Sequence, residues 1–207
     1  MICGKLFLKY FAKRITYCNF AFRKLHRMQT NHWYILKTIH KSELKLAGLL
    51  EQSNIQYFLP MTYKITTKNK KKVKTLKPAI SDIVFVYSDK DTLQSFKDRI
   101  LITHNLPSYF LIDATSGKRV IATVPDKQMT DFITVCSSCN EHITFHDPNE
   151  ITLQRGTRIR IIGGSLNGVE ATLIKTKYRY KKELLLQIPN LAITIKNISP
   201  DLIEIIG

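Results

Sequence analysis

Apolar positions along the chain recur in two different rhythms, and the change from one to the other divides it. Trp33 to Thr38 is an aromatic and aliphatic run that predicts a strand. Ser42 is placed to cap a helix reaching about Ser53, with Leu46, Leu49 and Leu50 on one stripe and Asn54 as its stop. Ile55 to Leu59 reads as a second strand ended by Pro60. Met61–Thr67 and Lys72–Leu76 flank a lysine-rich tip and predict a hairpin arm, and Ile83–Tyr87 is strongly β-prone. Ser88 is a candidate cap for a helix carrying Leu93, Phe96 and Ile100. Tyr109–Asp113 and Val120–Thr123 predict two strands around Thr115-Ser116-Gly117. Pro125 then suits a helix start, followed by Met129, Phe132, Ile133 and Cys136 at i, i+3, i+4 and i+7. Interleaved strands and helices make this first module a mixed α/β sandwich.

After the turn-rich run His146–Glu150 the helical period disappears. Arg158–Ile162, Val169–Lys177, Glu183–Ile188, Leu191–Lys196 and Leu202–Ile205 read as short strands, with Ile159 and Ile161 alternating against Arg158 and Arg160. Several short strands and no helix predict a small barrel. The expected fold class is therefore α+β. It comprises a basic extension over residues 1–28, a first module over 30–145, a linker over 146–154 and an all-β barrel over 155–207.

Charge changes the picture more than composition does. The 32 Lys and Arg residues exceed 16 Asp and Glu, a formal net charge of +16. Such a surplus favours polyanionic partners without implying that bases are read. Residues 1–28 hold seven of these cations (Lys5, Lys9, Lys13, Arg14, Arg23, Lys24 and Arg27) and no acid. Charges interrupt their apolar positions, which argues against a secretory signal. Met28, just before the first patterned strand, reads as an alternative start, and the preceding residues as poorly ordered. No apolar run is long enough for a membrane-spanning helix. Four cysteines show no disulfide framework, so a reducing cytoplasm is the simplest compartment.

Residues 155–171 (RGTRIRIIGGSLNGVEA) resemble a KOW motif: strand, glycine turn, aromatic or aliphatic residue, second glycine, strand. Gly164 and Gly168 match its turn glycines; Ser165, Leu166 and Ala171 depart from its usual proline, phenylalanine and third glycine. Upstream, WYILKT (33–38), QYFLP (56–60) and IVFV (83–86) resemble successive strands of a NusG N-terminal domain. VPDKQM (124–129) is similar to the entry of that domain's last helix in the UpxY-like branch. The resemblance runs in the right order over about residues 32–206. It implies a NusG-type elongation or antitermination factor, with the barrel as an SH3-like KOW domain, and not an enzyme. One departure stands out: Ser81-Asp82-Ile83 replaces the family's Pro-Gly-Tyr, whose tyrosine belongs to the patch seated on the polymerase clamp.

The resemblance further implies that Trp33, Phe58, Ile83 and Phe85 form the patch binding the RNA polymerase clamp. Strand alternation sets Ile83 and Phe85 on one sheet face and Val84 and Val86 on the other, leaving one set accessible. Lys37, His40 and Lys41 fall on the family's DNA-facing edge. Lys70, Lys71, Lys72 and Lys74 in the arm are candidates for contact with non-template DNA or nascent RNA. Few aromatics interleave there, so phosphate contact rather than base stacking is expected. The KOW domain would recruit a ribosomal protein or Rho, and the protein would act as a cytoplasmic monomer, operon-specific and associated with polysaccharide clusters. A KOW-containing ribosomal or RNA-binding protein is the competing reading. Cys136, Cys139, His142 and His146 have the spacing of a zinc site. Cys136, however, lies on the apolar stripe with Phe132 and Ile133, and no metal or other cofactor is expected. No P-loop, nucleophile elbow or HExxH motif occurs.

Overall fold

The computed structural model describes residues 30–68, 71–113, 119–138, 143–146, 156–175, 182–189, 191–196 and 202–206. The basic extension, Lys70, Thr115-Ser116-Gly117, Cys139, His142 and the linker beyond His146 lie outside the described residues.

The first sheet is built from β1 (His32–Thr38), β2 (Gln56–Phe58), β5 (Ile83–Ser88) and β6 (Ser108–Phe110) in the order β2-β5-β1-β6, with β9 (Thr123–Val124) also pairing β1. Every pairing is antiparallel, with Trp33 opposite Tyr87 and Ile35 opposite Phe85. Side chains along β1 and β5 alternate between two faces, and each face has its own cover. Tyr34, Leu36, Val84 and Val86 pack with Leu46 and Leu50 of α1 (Glu43–Gln52) and with Leu93, Phe96 and Ile100 of α2 (Lys90–His104). Trp33, Ile35 and Phe85 cluster with Met129, Phe132 and Val135 of α3 (Asp126–Ser137). The alternation is as expected, but Val84, Phe85 and Val86 are all 0% exposed, and of the two sets Ile83 alone keeps part of its surface in solvent. The helix stripe of residues 126–137 closes the face that sequence reasoning left open. Each large side chain so buried contributes about 1.5–3 kcal/mol.

Helix ends differ in detail from expectation. Ser42 occupies the first cap but makes no side-chain cap bond, and Asn54 takes positive φ (54°) as a stop requires. Ser88 remains the last, buried residue of β5. The neighbouring Asp89 caps α2 instead, its Oδ1 accepting from the Thr92 N–H at 2.9 Å. The two strands expected over 109–123 are each broken in two. β6 and β9 join β1, while among the described residues β7 (Ile112–Asp113) and β8 (Val120–Ile121) pair only with each other.

β3 (Met61–Lys68) and β4 (Lys71–Pro78) form the expected arm, a separate two-stranded sheet with Met61 opposite Pro78 and Lys68 opposite Lys71. A six-stranded antiparallel sheet holds the remaining strands: β10 (Ile143–His146), β14 (Leu191–Ile195), β13 (Lys182–Ile188), β12 (Glu170–Lys175), β11 (Thr157–Ile161) and β15 (Ile203–Ile205), in that order. Five of these match expected strands. The sixth, β10, comes from residues assigned to the end of the first module, and it pairs with β14. Ile159 and Ile161 are buried at 1% while Arg158 and Arg160 face outward. Both arginines bond the Glu170 carboxylate across the ladder, at 3.3 and 3.1 Å. The Arg160 hydrogen bond, opposed by slight burial, holds that carboxyl below its ordinary range.

Candidate functional site

Of the four residues expected on a protein-binding patch, two are core and two are half-buried. Trp33 is 7% exposed and packs on Tyr87, with ring centroids 5.2 Å apart. Phe85 lies 5.1 Å from Phe132 and 6.5 Å from Phe58; Phe58 meets Phe132 edge-on at 5.7 Å. Phe58 and Ile83 keep part of their surface in solvent while packing against the same cluster. The accessible edge of this aromatic group is therefore Phe58 and Ile83, supported from beneath by Phe85.

Ile83 opens onto a row that crosses three strands. It pairs with Lys37, and Lys37 pairs with Tyr109, so the three share one face at one end of the sheet. Lys37 is exposed and Tyr109 is 56% exposed. Tyr109 was missing from the sequence-derived candidates. Nothing along the chain relates residue 109 to residue 37; only the ladder does.

Beside this row the chain turns through His40 and Lys41, both at a φ of 55°. Consecutive left-handed residues without glycine cost on the order of 1–3 kcal/mol each unless their surroundings hold them. The holder is Asp82, itself at a φ of 61°. Its Oδ1 accepts from the Lys41 N–H and its carbonyl from the Thr38 N–H, both at 2.8 Å. The Asp82 N–H in turn donates to Glu43 Oε1, and Glu43 is only 3% exposed. This latch fastens the 38–43 loop to the start of β5. It also accounts for Asp82 where the resemblance calls for glycine: Asp tolerates the left-handed region when its short side chain bonds nearby. Glu43→Ala should cost about 1–3 kcal/mol, because the Asp82 N–H loses its partner. Thermal unfolding measures that loss, and faster amide exchange at Lys41 would report release of the turn.

The arm carries Lys64, Lys72, Lys74 and Lys77 on its surface, with no acidic residue between Met61 and Pro78. Lys71, another candidate, sits opposite Lys68 at the end of the ladder. Gly164 and Gly168 flank a short 3-10 turn (Gly164–Leu166), with φ of 68° and 83°. An added Cβ would meet no atom at either position, so backbone conformation rather than space requires glycine there.

A polar clamp ties this turn to α3. Asp131, 5% exposed, accepts from Lys127 Nζ at 2.6 and 2.8 Å and from the Glu170 N–H at 3.3 Å. Lys127 Nζ also donates to the Gly168 carbonyl at 2.9 Å. Lys127 and Asp131 stand at i, i+4 on one helix, and the fold brings the pair to a turn about forty residues onward.

Cys139 and His142 lie outside the described residues, among which no metal-binding group occurs. Cys136 packs in the apolar cluster beside Phe132, and burial pushes its thiol pKa far up, which suppresses thiolate chemistry. His146 hydrogen-bonds Thr194 Oγ1 at 2.8 Å, on β14.

A family model described as "Transcription termination factor nusG" matches residues 31–133. Residues 31–133 are a NusG-family domain. The match takes in the first sheet, the arm and most of α3. Two solved structures are also similar. One, "Domain interaction in Thermotoga maritima NusG", shares 14% identity over 86% of this chain and 98% of its own, with a TM-score of 0.39. The other, "MjSpt4:Spt5 complex conformation B", shares 17% identity over 84% and 97%, with a TM-score of 0.24. Neither likeness carries an argument at these values, and no curated protein matches the chain. Within the NusG-family domain lie Trp33, Lys37, His40, Lys41, Phe58, Ile83, Phe85 and the whole arm. Gly164 and Gly168 lie beyond it. No described helix is long and apolar enough to cross a membrane.

Proposed function

We propose that this protein is a transcription elongation factor that binds RNA polymerase and carries transcription through terminators, without catalysing a reaction. The NusG-family domain over residues 31–133 is the observation that carries this reading. The domain's half-exposed aromatic and aliphatic edge, Phe58 with Ile83, suits a protein contact at the polymerase clamp. Lys37, His40, Lys41 and the arm lysines then face the non-template DNA or nascent RNA, where their charge attracts phosphate. The second sheet, with its two-glycine turn, acts as a KOW domain for a ribosomal protein or Rho. The UpxY-like wording of residues 124–129 favours an operon-specific antiterminator working as a cytoplasmic monomer.

The test is co-purification of the full chain with core RNA polymerase after nuclease digestion, followed by read-through of a terminator. Binding and read-through are the expected results. Association with ribosomes instead would place the protein among KOW-containing ribosomal or RNA-binding proteins. Ile83→Asp should weaken polymerase binding at least several-fold while the chain stays folded, because a carboxylate in an apolar interface core is costly to desolvate. Undiminished binding by a folded Ile83→Asp variant would remove this edge from the interface.

A further inference from the structure

The arm has two chemically different faces. Opposite residues of an antiparallel ladder point to the same side, so the register sorts them. One side carries the pairs Thr62 with Lys77 and Lys64 with Thr75 together with Val73, 43% exposed, and has hydroxyls, ammonium groups and one aliphatic side chain but no ring. The other carries Tyr63 with Leu76, Ile65 with Lys74 and Thr67 with Lys72. There an aromatic and aliphatic strip alternates with cations. Tyr63 is 48% and Ile65 68% exposed, and neither belongs to a core cluster. Lys74 Nζ lies 4.6 Å from the centre of the Tyr63 ring.

A two-stranded ribbon gains little stability by itself, so an exposed ring and aliphatic chain on it point to a partner rather than to a core. The absence of any acid between Met61 and Pro78 makes that partner an anion. A duplex presents phosphates but keeps its base faces stacked, and would leave Tyr63 unused. A single strand offers both, base faces for the ring and phosphates for the ammonium groups. Lys72 and Lys74 are two residues apart, about 7 Å along the strand, so they can hold phosphates on the side where Tyr63 meets a base.

We propose that the Tyr63 face of the arm is a binding site for single-stranded nucleic acid, with a base stacked on Tyr63 and backbone phosphates held by Lys72 and Lys74. The site rests on the reading that the arm meets nucleic acid, and it narrows the ligand from any phosphate backbone to an unpaired strand. Counting aromatics along the sequence points away from stacking, because it does not show that Tyr63, Ile65 and Lys74 share a face.

Fluorescence anisotropy of the full chain with a labelled oligo-dT, and with a duplex of equal length, across a salt series tests the site. Tyr63→Leu should lower single-strand affinity roughly 10-fold, leaving the salt slope and the duplex affinity unchanged. Tyr63→Phe should restore it, since stacking needs the ring and not the hydroxyl. Lys72→Glu with Lys74→Glu, on the same face, should weaken both ligands and flatten the salt dependence. If the lysine variant weakens both ligands while Tyr63→Leu binds like the parent, the stacking site is overturned and the phosphate-binding arm stands. If neither variant changes binding, both readings fall. Equal loss on single strand and duplex by Tyr63→Leu, with circular dichroism unchanged, also overturns it. So does weakened polymerase binding with oligonucleotide affinity intact, which would make the face a protein contact.

Discussion

Replacing Phe85 with alanine should lower the free energy of unfolding by about 3–5 kcal/mol, as measured by urea denaturation. Phe85 is 0% exposed at the centre of the first sheet. Its strand is paired on both sides, by β1 and by β2, so the backbone has little freedom to collapse into the space left behind. The ring also meets Phe132 and Phe58 at distances where aromatic pairs add about 0.5–1.5 kcal/mol beyond burial. Phe58→Ala should cost less, because Phe58 is only half-buried. The comparison separates support from contact. A loss below about 1 kcal/mol for Phe85→Ala, together with lost polymerase binding, would mean that the ring works on a partner and not in the core.

Removing the Asp131 carboxylate should cost about 1–3 kcal/mol. It is the buried member of the clamp, and its loss strips an acceptor from the Glu170 N–H and the counter-ion from Lys127 at once. Lys127→Ala should cost less, about 0–1 kcal/mol, because that side chain is 56% exposed and water replaces its contacts. The double variant should therefore lose less than the two single losses summed. A shift of the Gly168 amide resonance in Asp131→Ala would show that the carboxylate holds the turn as well as the helix. An Asp131→Ala protein as stable as its parent would overturn the prediction. Desolvation of the carboxylate would then outweigh its bonds.

Much of the first module could be read directly. Trp33–Thr38, the arm and Ile83–Tyr87 carry strong β-formers, and Leu93, Phe96 and Ile100 keep a helical period. These are local properties, and tertiary packing agreed with them. The reading failed where two local signals competed. Ser88 and Asp89 are both good caps, and β5 claimed the serine by burying it. It failed again over residues 108–124, where the expected strands are divided between two sheets, since pairing depends on partners distant in sequence.

The candidate site was legible in kind and not in arrangement. Aromatic runs and lysine runs pointed to segments as candidates, and burial then divided Trp33 and Phe85 from Phe58 and Ile83. The sequence by itself determined the periods, the glycines whose φ must be positive and the excess of cations, because each depends on a residue and its near neighbours. Only the tertiary structure decided that α3 covers the Phe85 face, that Asp82 and Glu43 hold the His40–Lys41 turn, and that Asp131 reaches Glu170. Those facts rest on contacts between residues about forty or more positions apart, which local propensity does not encode and which close packing selects.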